Sequence, residues 1–564
     1  MSRYYRKKKK QNTGTVMVVI VLIMLLIVAG GIYYIISSGR PSKERIDPEE
    51  YFGWPGDGQA AVATTLGLCE SMGVKTAEDR IFISCEEIRD VTGGRLYYDA
   101  GSQTVTIPTP SEIINLSPTD GEDTDKIVVS QGELMIASDF LEECMDVEIR
   151  SFTVPDRVVI RCAWDTPVAD AVEDSVLRME PSIKSPIVTD IAAGEQVCVL
   201  EAGDAFYKVS TDDGFTGYVS VSQMGPVEEA PAHENPALTY THNLLDEKVI
   251  LGFHQTDTAA ANAALSYVTQ DAKGMNVIAP TWYFLDSTDG AFTDLSDAEY
   301  VSGAHEKGLQ VWAVINDFDG KLNSGTETAE ALSGTPVRQE LERKIIESAV
   351  AAGIDGINLD FENVSKEGID AFLIFLREMS VLCRQNGLVL SSDMYVPEPY
   401  NLYLQPAAQA EAADYLLIMA YDEHHRGSEE SGSVSSIAWV EKAVEGGIEA
   451  VGSADRVIIA IPFYTRLWET SENGTVTCSS LGMTEAAEYV KEHSMKVTWD
   501  DSVKQNYAVQ GSSPKYEIWM EDEQSMTAKL RVISAAGTSV GAWKLGLEDS
   551  SVWNLITSYI SPAS

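Results

Sequence analysis

Basic residues are scarce in this sequence relative to acidic ones. The 564 residues include 41 Lys and Arg but 86 Asp and Glu, which gives a formal net charge of −45. Seven of the basic residues lie at or before Arg40, so the rest of the chain has 34 Lys and Arg and all 86 Asp and Glu. A surface of this sign repels phosphate backbones, so we expect no nucleic acid among the partners of the protein.

Cysteine is scarce as well. The chain has seven cysteines, an odd number, and no C-x-x-C motif. This count excludes a dense disulfide scaffold and indicates no zinc site, and it leaves any disulfide pairing open. We therefore expect an active site that uses neither a metal nor another cofactor.

A long uncharged apolar run, Val16 to Ile36, lies near the N-terminus and follows the basic segment 3–10. Its length predicts a transmembrane helix over residues 15–37 after a cytoplasmic tail, 1–14, and the basic flank predicts that the rest of the chain is extracellular. A cleaved signal peptide is the alternative. The run is longer than the apolar region of such peptides, so an uncleaved single-pass anchor in the cell membrane is favoured.

After a polar linker, 38–55, two similar units follow at Asp79–Ile107 and Gly132–Ile160. Each has the pattern of a strand, a short helix and a hairpin, which predicts one duplicated α/β stalk domain over 56–166. The pattern resembles non-catalytic modules related to the N-terminal domain of copper amine oxidases. No histidine lies in this region, so no copper chemistry is implied.

Residues 172–226 are predicted to form a small β-barrel, because short alternating strands there are broken by Gly and Asp turns. The segments "GEQVCVL", "FYKVSTDDG" and "GYV" resemble the bacterial SH3 family. That resemblance implies a module that holds its host enzyme on peptidoglycan, and a simple spacer is the alternative. A linker rich in Pro and Glu, 227–245, follows.

From residue 246 to 564, apolar β-like runs alternate with amphipathic helices such as Thr335–Gly353. This is the pattern of an α/β protein with a (β/α)8 TIM barrel. A long insertion between the last two strands is predicted to be a small α/β subdomain. The eight candidate strands are "VILGFH", "NVIAPTWYF", "QVWAVIN", "GINLDFE", "VLSSDMY", "YLLIMAY", "VIIAIPF" and "SVGAWK".

The fourth candidate strand, Gly356–Glu362, carries polar residues within an apolar run. Alternate side chains of a strand share a face, so Asn358, Asp360 and Glu362 point one way while their apolar neighbours point the other. Unpaired carboxylates are costly in an apolar interior. Because sites in such barrels lie at the carboxyl ends of the strands, we expect this polar row to face the barrel mouth.

Three segments resemble the motifs of glycoside hydrolase family 18. "DGINLDFE" (Asp355–Glu362) is similar to the fourth-strand pattern D-x-x-D-x-D-x-E, and "MAYD" (Met419–Asp422) is similar to M-x-Y-D on the sixth strand. "GAWKLG" supplies Trp543 on the eighth strand. The three motifs occur in the right order on the right strands.

The resemblance implies roles for these residues in a substrate-assisted, retaining reaction. Glu362 would be the general acid and later the base. Asp360 would bind the acetamido N–H of the substrate and stabilise the oxazolinium charge, and Tyr421 would help to place that group. Substrate binding is implied for Asn358, Asp422, Met419 and Trp543, the last as the floor under the sugar.

Further aromatic residues are candidates for stacking on sugar, with core packing as the alternative. They are Tyr395 and Trp282, together with Tyr283 and Tyr464; in the insertion, Trp519 and Glu521 are candidates to contact sugar. The segment "YDEHHRG" is interpreted as a polar loop that lines the cleft.

Two departures from the family pattern concern its chemistry. Asn358 replaces the second acid of the pattern and cannot ionise, so it cannot share a proton with Asp360 as a carboxylate could. The third-strand motif S-x-G-G of many chitinases is replaced by "VWAVIND".

The resemblance and the SH3-like module predict an anchored extracellular hydrolase of a Gram-positive-type bacterium. It would act on peptidoglycan, close in type to spore-cortex and cell-wall N-acetylglucosaminidases. A chitinase or endo-N-acetylglucosaminidase acting on other glycans is one alternative. A catalytically silent glycan-binding protein is another, and the presence of Glu362 argues against it.

Overall fold

A computed structural model gives the architecture of the chain. Two compact units are present, and the predicted stalk domain, 56–166, is divided between them. The first unit comprises Met1–Ser84, Ala137–Glu142 and Val147–His233, and the second comprises Cys85–Ile136, Glu143–Asp146 and Glu234–Ser564. The structure describes residues 17, 18, 21–24, 28, 40–54, 56, 58–75, 80–119, 121, 123, 125–130, 132–235, 237–322 and 324–560.

Within these residues, no helix has both the length and the apolar character needed to cross a bilayer. Most of the predicted transmembrane helix, 15–37, lies outside the described residues, so that part of the predicted fold stays a prediction.

The first unit contains two sheets around a shared core. In the first sheet, Gln59–Thr64 pairs in parallel with Asp156–Arg161, and the other strands, Gly67–Lys75, Ile81–Ser84 and Glu148–Thr153, are antiparallel. The second sheet occupies the SH3-like region. In spatial order its strands are Val168–Asp170, Gln196–Ala202, Phe206–Ser210, Thr216–Ser220, Ser175–Arg178 and Ile187–Ile191. The helices of this unit are Pro48–Tyr51, Ser138–Cys144 and the 3-10 turn Val221–Gln223. The last residues of the helix Ser138–Cys144 belong to the second unit.

Aromatic packing ties the two sheets of the first unit together. Phe52 and Phe215 lie in one buried cluster with residues of both sheets. The guanidinium of Arg157 packs on both rings, 4.9 Å from the ring centre of Phe52 and 5.3 Å from that of Phe215. The SH3-like strands therefore share their core with the strands that precede them in the chain.

The second unit begins with small β elements and is dominated by the barrel. The helix Cys85–Val91 precedes the antiparallel strands Tyr97–Asp99, Thr104–Pro108 and Ile113–Leu116, and a hairpin pairs Ile127–Ser130 with Glu133–Ala137. Arg377 of a barrel helix is buried and donates to the carbonyl oxygens of Gly93 and Gly94, which fixes the small elements against the barrel.

Eight parallel strands close into the predicted barrel, and the first strand pairs with both the second and the eighth. Their apolar runs are buried on both faces, as expected for a parallel sheet covered by helices. In order, the strands are Ile250–His254, Val277–Leu285, Gln310–Asn316, Gly356–Asp360, Val389–Tyr395, Tyr415–Met419, Val457–Pro462 and Ser539–Trp543. A short strand, Phe292–Asp294, pairs antiparallel with the end of the second barrel strand.

Helices surround the barrel and alternate with its strands. The helix predicted from Thr335 runs over Thr335–Ala352 and ends at Gly353, whose φ of +76° suits glycine. The helical segments are Ala259–Ala264, Leu265–Val268, Ala298–His305, Gly325–Ser333, Thr335–Ala352, Ile369–Gln385, Leu402–Leu404, Pro406–Ala412, Ile437–Val451, Ala454–Arg456, Glu523–Ala536 and Val552–Ile560.

Alternation along the strands separates two apolar cores. Leu251 and Phe253 belong to the cluster inside the barrel, whereas Ile250 belongs to the larger cluster between strands and helices. On the fourth strand, Ile357 and Leu359 also face the helices. The predicted alternation of this strand is therefore confirmed, and its polar residues point into the barrel.

The insertion between the seventh and eighth strands forms a five-stranded antiparallel sheet with one helix, Met483–Glu492. It has a small apolar core of its own, which includes Ala486 and Ile518. The strands are Tyr464–Thr470, Val476–Gly482, Lys496–Asp500, Gln505–Gly511 and Lys515–Met520.

Candidate active site

Eight of the residues predicted to act on or contact the substrate lie in or just beyond the carboxyl-terminal parts of the barrel strands. A closed parallel barrel brings all its carboxyl ends to one rim, so side chains that are distant in sequence meet there. These residues are Asn358, Asp360, Glu362, Tyr395, Met419, Tyr421, Asp422 and Trp543.

Trp282 lies away from this group, and its predicted contact with sugar is wrong. Its side chain is fully buried among the helices, packs on Tyr300 at 5.0 Å between ring centres and donates to Asn262 Oδ1 at 2.9 Å. The strand register shifts between Thr281 and Tyr283. Such a bulge changes the side-chain alternation, and Trp282 and Tyr283 both point to the outer core.

Glu362 lies two residues beyond the end of the fourth strand, and Asp317 fixes its backbone. The Asp317 carboxylate accepts the N–H of Glu362 at 2.9 Å and the N–H of Asn363 at 3.1 Å. It also accepts the hydroxyl of Thr328 at 2.9 Å. Because Asp317 is fully buried after the third strand, it holds the start of the Glu362 loop in one place.

The Glu362 carboxyl favours its protonated form. Burial raises its pKa above the ordinary value, the hydrogen bond from Tyr395 lowers it, and the negative charges of Asp317 and Asp422 raise it further. The Tyr395 hydroxyl donates to Glu362 Oε2. The upward shift of its pKa is in the direction that a general acid requires.

Asp360 and Asn358 lie below Glu362 inside the barrel. Burial, followed by the charge of Asp393, raises the pKa of Asp360 well above its ordinary value. Asn358 is fully buried and donates from Nδ2 to Ser391 Oγ at 2.9 Å and to Asp393 Oδ1 at 2.6 Å. The amide therefore connects the fourth strand to a carboxyl group on the fifth.

An apolar floor lies beside these carboxyl groups. Met419, Tyr421 and Trp543 border the cluster inside the barrel, and Trp543 lies 5.3 Å from Phe253 between ring centres. Burial and the charges of Asp360 and Asp393 raise the pKa of Tyr421 well above its ordinary value. Its hydroxyl thus stays a neutral hydrogen-bond donor.

Asp422 is held by the insertion. Its backbone has a φ of +53°, which is uncommon for a residue other than glycine. Arg466 Nη2 donates to Asp422 Oδ1 at 2.7 Å, and the Tyr464 hydroxyl donates to the same oxygen. Tyr464 was predicted to stack on sugar, and its hydroxyl serves here to fix Asp422.

The other insertion residues have different environments. Glu521 is buried and forms an ion pair with the buried Lys529, so its predicted contact with sugar is wrong. Trp519 is half-buried and packs on Tyr507 with ring centres 4.9 Å apart.

Three site residues were missed from the sequence: Asp317, Asp393 and Arg466. A signal existed for the first two, because each is a polar residue at or near the end of an apolar barrel strand. Arg466 carries no such signal. Its position depends on how the insertion folds back on the loop after the sixth strand.

Two family matches cover most of the chain. Residues 248–548, more than half of the 564, match the family described as "Glycosyl hydrolases family 18". Residues 174–223 match "Bacterial SH3 domain". The likeness of residues 56–166 to copper amine oxidase modules stays a prediction.

Relatives of the barrel include two proteins of Bacillus subtilis. The "Uncharacterized glycosylase YvbX" is 27% identical over 327 residues, which are 54% of this chain and 90% of that protein. A "Cortical fragment-lytic enzyme" is 22% identical over 260 residues, 43% of this chain and 58% of that protein.

Solved structures show the same barrel fold. The spore cortex-lytic enzyme SleL of Bacillus cereus gives a TM-score of 0.51 at 18% identity, over 59% of this chain and 79% of that one. A chitinase of Chromobacterium violaceum gives 0.50 at 22% identity, over 56% of this chain and 99% of that one.

Proposed function

The chain belongs to glycosyl hydrolase family 18, and we propose that it cleaves peptidoglycan at β-linked N-acetylglucosamine, outside the cell, by a substrate-assisted retaining mechanism. The observation that carries the proposal is that Glu362, Asp360 and Tyr421 lie within reach of one another's charges inside one end of the barrel. Burial and neighbouring charges favour a proton on Glu362, as a general acid requires.

The proposed reaction uses no covalent bond to the protein. Glu362 protonates the glycosidic oxygen as the bond to C1 breaks, and the 2-acetamido oxygen of the substrate attacks C1 from the opposite face. Asp360 and Tyr421 hold the acetamido group and stabilise the oxazolinium that forms. Water, deprotonated by the Glu362 carboxylate, then opens the ring at C1 and restores the proton to Glu362.

Two features support peptidoglycan as the substrate. The bacterial SH3 domain at 174–223 is a module that we infer to bind the wall. The cortical fragment-lytic enzyme of Bacillus subtilis and the spore cortex-lytic enzyme of Bacillus cereus have names that refer to the cortex. Chitin or another N-acetylglucosamine polymer is the second candidate, because the proposed chemistry needs only the acetamido group.

The proposal extends to location. Val16 to Ile36, preceded by a basic segment, would anchor the chain in the cell membrane with the N-terminus in the cytoplasm. The barrel would then act on the wall from the outside of the membrane.

Product analysis tests the substrate and the bond. The full-length protein is incubated with purified peptidoglycan or chito-oligosaccharides, and the new reducing ends are reduced with borohydride and identified by mass spectrometry. We expect reduced N-acetylglucosamine from peptidoglycan, and none with Glu362→Gln as the matched control. Reduced muramic acid, or cleavage of chito-oligosaccharides alone, would contradict the assignment.

The stereochemistry tests the mechanism. Two displacements at C1 give net retention, so NMR of the first-formed product should show the β-anomer. A de-acetylated substrate should not be cleaved, since an amine cannot form the oxazolinium. An inverted product or rapid cleavage of glucosamine polymers would refute the roles of Asp360 and Tyr421.

A further inference from the structure

Asp393 is a buried carboxyl group for which the proposed reaction has no use. It lies on the fifth barrel strand, only 6% exposed, and accepts a hydrogen bond from Asn358 Nδ2 at 2.6 Å. The same nitrogen donates to Ser391 Oγ. The NH2 group of Asn358 thus faces Asp393, and its Oδ1 faces away from that carboxyl group.

Two buried oxygens close to this contact have no hydrogen-bond partner: Asn358 Oδ1 and Asp360 Oδ1. The two residues are two positions apart on one strand and share a face. A proton on Asp360 would give Asn358 Oδ1 the donor that it lacks. A buried polar atom without a partner is otherwise costly.

The surroundings supply no positive charge to balance these acids. In the part of the chain that the structure describes, no lysine or arginine forms an ion pair with Asp360 or Asp393. Two buried carboxyl groups without a counter-ion cannot both ionise readily, so they retain a proton between them. The charges that act on this pair are those of Asp317, Asp319 and Glu362. The pair acts in turn on two neutral hydroxyls, those of Tyr395 and Tyr421.

We propose that Asp393 supplies, from the fifth strand, the second carboxylate that the fourth strand lacks at Asn358. Asn358 donates to the Asp393 carboxylate and presents Oδ1 to a protonated Asp360. Asp393 thus acts as a positioning residue, through the amide and through its charge, and does not touch the substrate. The proposal rests on the proposed function, because it assigns a role toward Asp360 and Glu362.

The variant Asp393→Asn tests the charge while preserving shape and the contact with Asn358. Loss of a negative charge lowers the pKa of the acids that remain, Asp360 and Glu362. The basic limb of the pH profile of kcat/KM should therefore move to lower pH by about one unit. At any pH on that limb, kcat/KM should then be about tenfold lower than in the wild type. A structural role alone would lower activity at every pH without moving the limb.

The double variant Asn358→Asp/Asp393→Asn moves the carboxylate back to the fourth strand. We expect it to return the basic limb to the wild-type position. Ser391→Ala is the neutral control, because it removes the other acceptor of the Asn358 amide without changing charge. It should lower kcat without shifting either limb.

Thermal unfolding gives a readout that does not depend on activity. The raised pKa values of Asp360 and Asp393 mean that folding is penalised increasingly as pH rises above the unfolded value, about 3.9. Asp393→Asn removes part of this penalty. Its Tm should equal that of the wild type at about pH 4 and exceed it increasingly toward about pH 8.

The outcomes separate this proposal from the proposed function. A wild-type protein that cleaves no N-acetylglucosamine polymer refutes the function, and the Tm series then decides the role of Asp393. Three results would each overturn the proposal. They are a basic limb of kcat/KM that does not move in Asp393→Asn, a double variant whose basic limb does not return to the wild-type position, and a Tm difference that is constant with pH.

Discussion

Glu362 and Asp360 are two positions apart on one face of a strand, yet their surroundings differ. Glu362 lies beyond the strand end, where Tyr395 and Asp317 hold its side chain and backbone. Asp360 lies deeper, 5% exposed, with one oxygen unpartnered. Environment, rather than residue type, thus suits one carboxyl group to donate a proton and the other to stabilise charge.

Glu362→Gln keeps the shape of the side chain but removes the transferable proton. We expect kcat to fall by ~10²–10⁴, the usual contribution of general acid catalysis. Affinity for an uncleaved oligosaccharide, measured by calorimetry, should stay close to that of the wild type. Wild-type turnover in this variant would exclude Glu362 as the acid.

Asp317→Ala removes the acceptor of two backbone N–H groups and should cost about 1–3 kcal/mol of unfolding free energy. It should also lower kcat by about 10²-fold, because Glu362 loses its position. Chemical denaturation and steady-state kinetics measure the two effects.

Asp317→Asn is the matched variant, since it keeps one acceptor oxygen but no charge. The charge of Asp317 raises the pKa of Glu362, so its loss should move the basic limb of kcat/KM to lower pH. An unshifted limb would show that Asp317 acts on Glu362 through its backbone alone.

Among the elements, the insertion contributes directly to the site although it lies outside the barrel. Its first strand, Tyr464–Thr470, supplies both donors to Asp422. The segment after the sixth strand is bound to the same sheet, because Trp468 donates to the carbonyl of Gly432 at 2.9 Å. The insertion therefore orients Asp422 and adds to the contacts that hold the loop after the sixth strand.

Arg466→Met tests this contribution of the insertion. Asp422 loses its positive partner, so its charge acts more strongly on Glu362 and raises that pKa further. The basic limb of kcat/KM should move to higher pH, opposite to Asp317→Asn, and KM should rise. Arg466→Lys retains the charge and should leave the limb in place; equal shifts in both variants would contradict the argument.

At the scale of the whole molecule, net charge is the dominant property. With −45 overall, the protein is repelled by an anionic wall until salt screens the two surfaces. The screening length falls from ~30 Å at 0.01 M to ~10 Å at 0.1 M ionic strength. If the proposed function is right, contact with the wall comes from short-range binding, for which the SH3 domain is the candidate.

The KM for isolated walls should accordingly fall several-fold between about 10 mM and about 100 mM salt, as repulsion is screened. The KM for a short uncharged chito-oligosaccharide should stay constant over the same range. The turbidity of wall suspensions measures the KM for walls, and a reducing-sugar assay measures the KM for the oligosaccharide. A wall KM that rises with salt would indicate that a local basic patch, rather than net charge, governs the encounter.

Patterns in the sequence were enough to predict the eight strands, the polar face of the fourth and the order of the three motifs. Each depends on local information: apolar runs, a period of two and residues adjacent in the chain. The ends of the strands were predicted less accurately than their existence. The fourth strand, for example, stops at Asp360, two residues before its predicted end.

The partners of the candidate catalytic groups could not be predicted in this way, because they depend on the folded arrangement of the strands. Asn358 meets Asp393 across 35 residues, and Glu362 meets Asp317 across 45, because neighbouring barrel strands align in a register that the sequence does not state. The bulge that turns Trp282 outward and the approach of Arg466 to Asp422 likewise depend on non-local packing. Periodicity tells which way a side chain points from its own strand, whereas the closed barrel determines what it meets there.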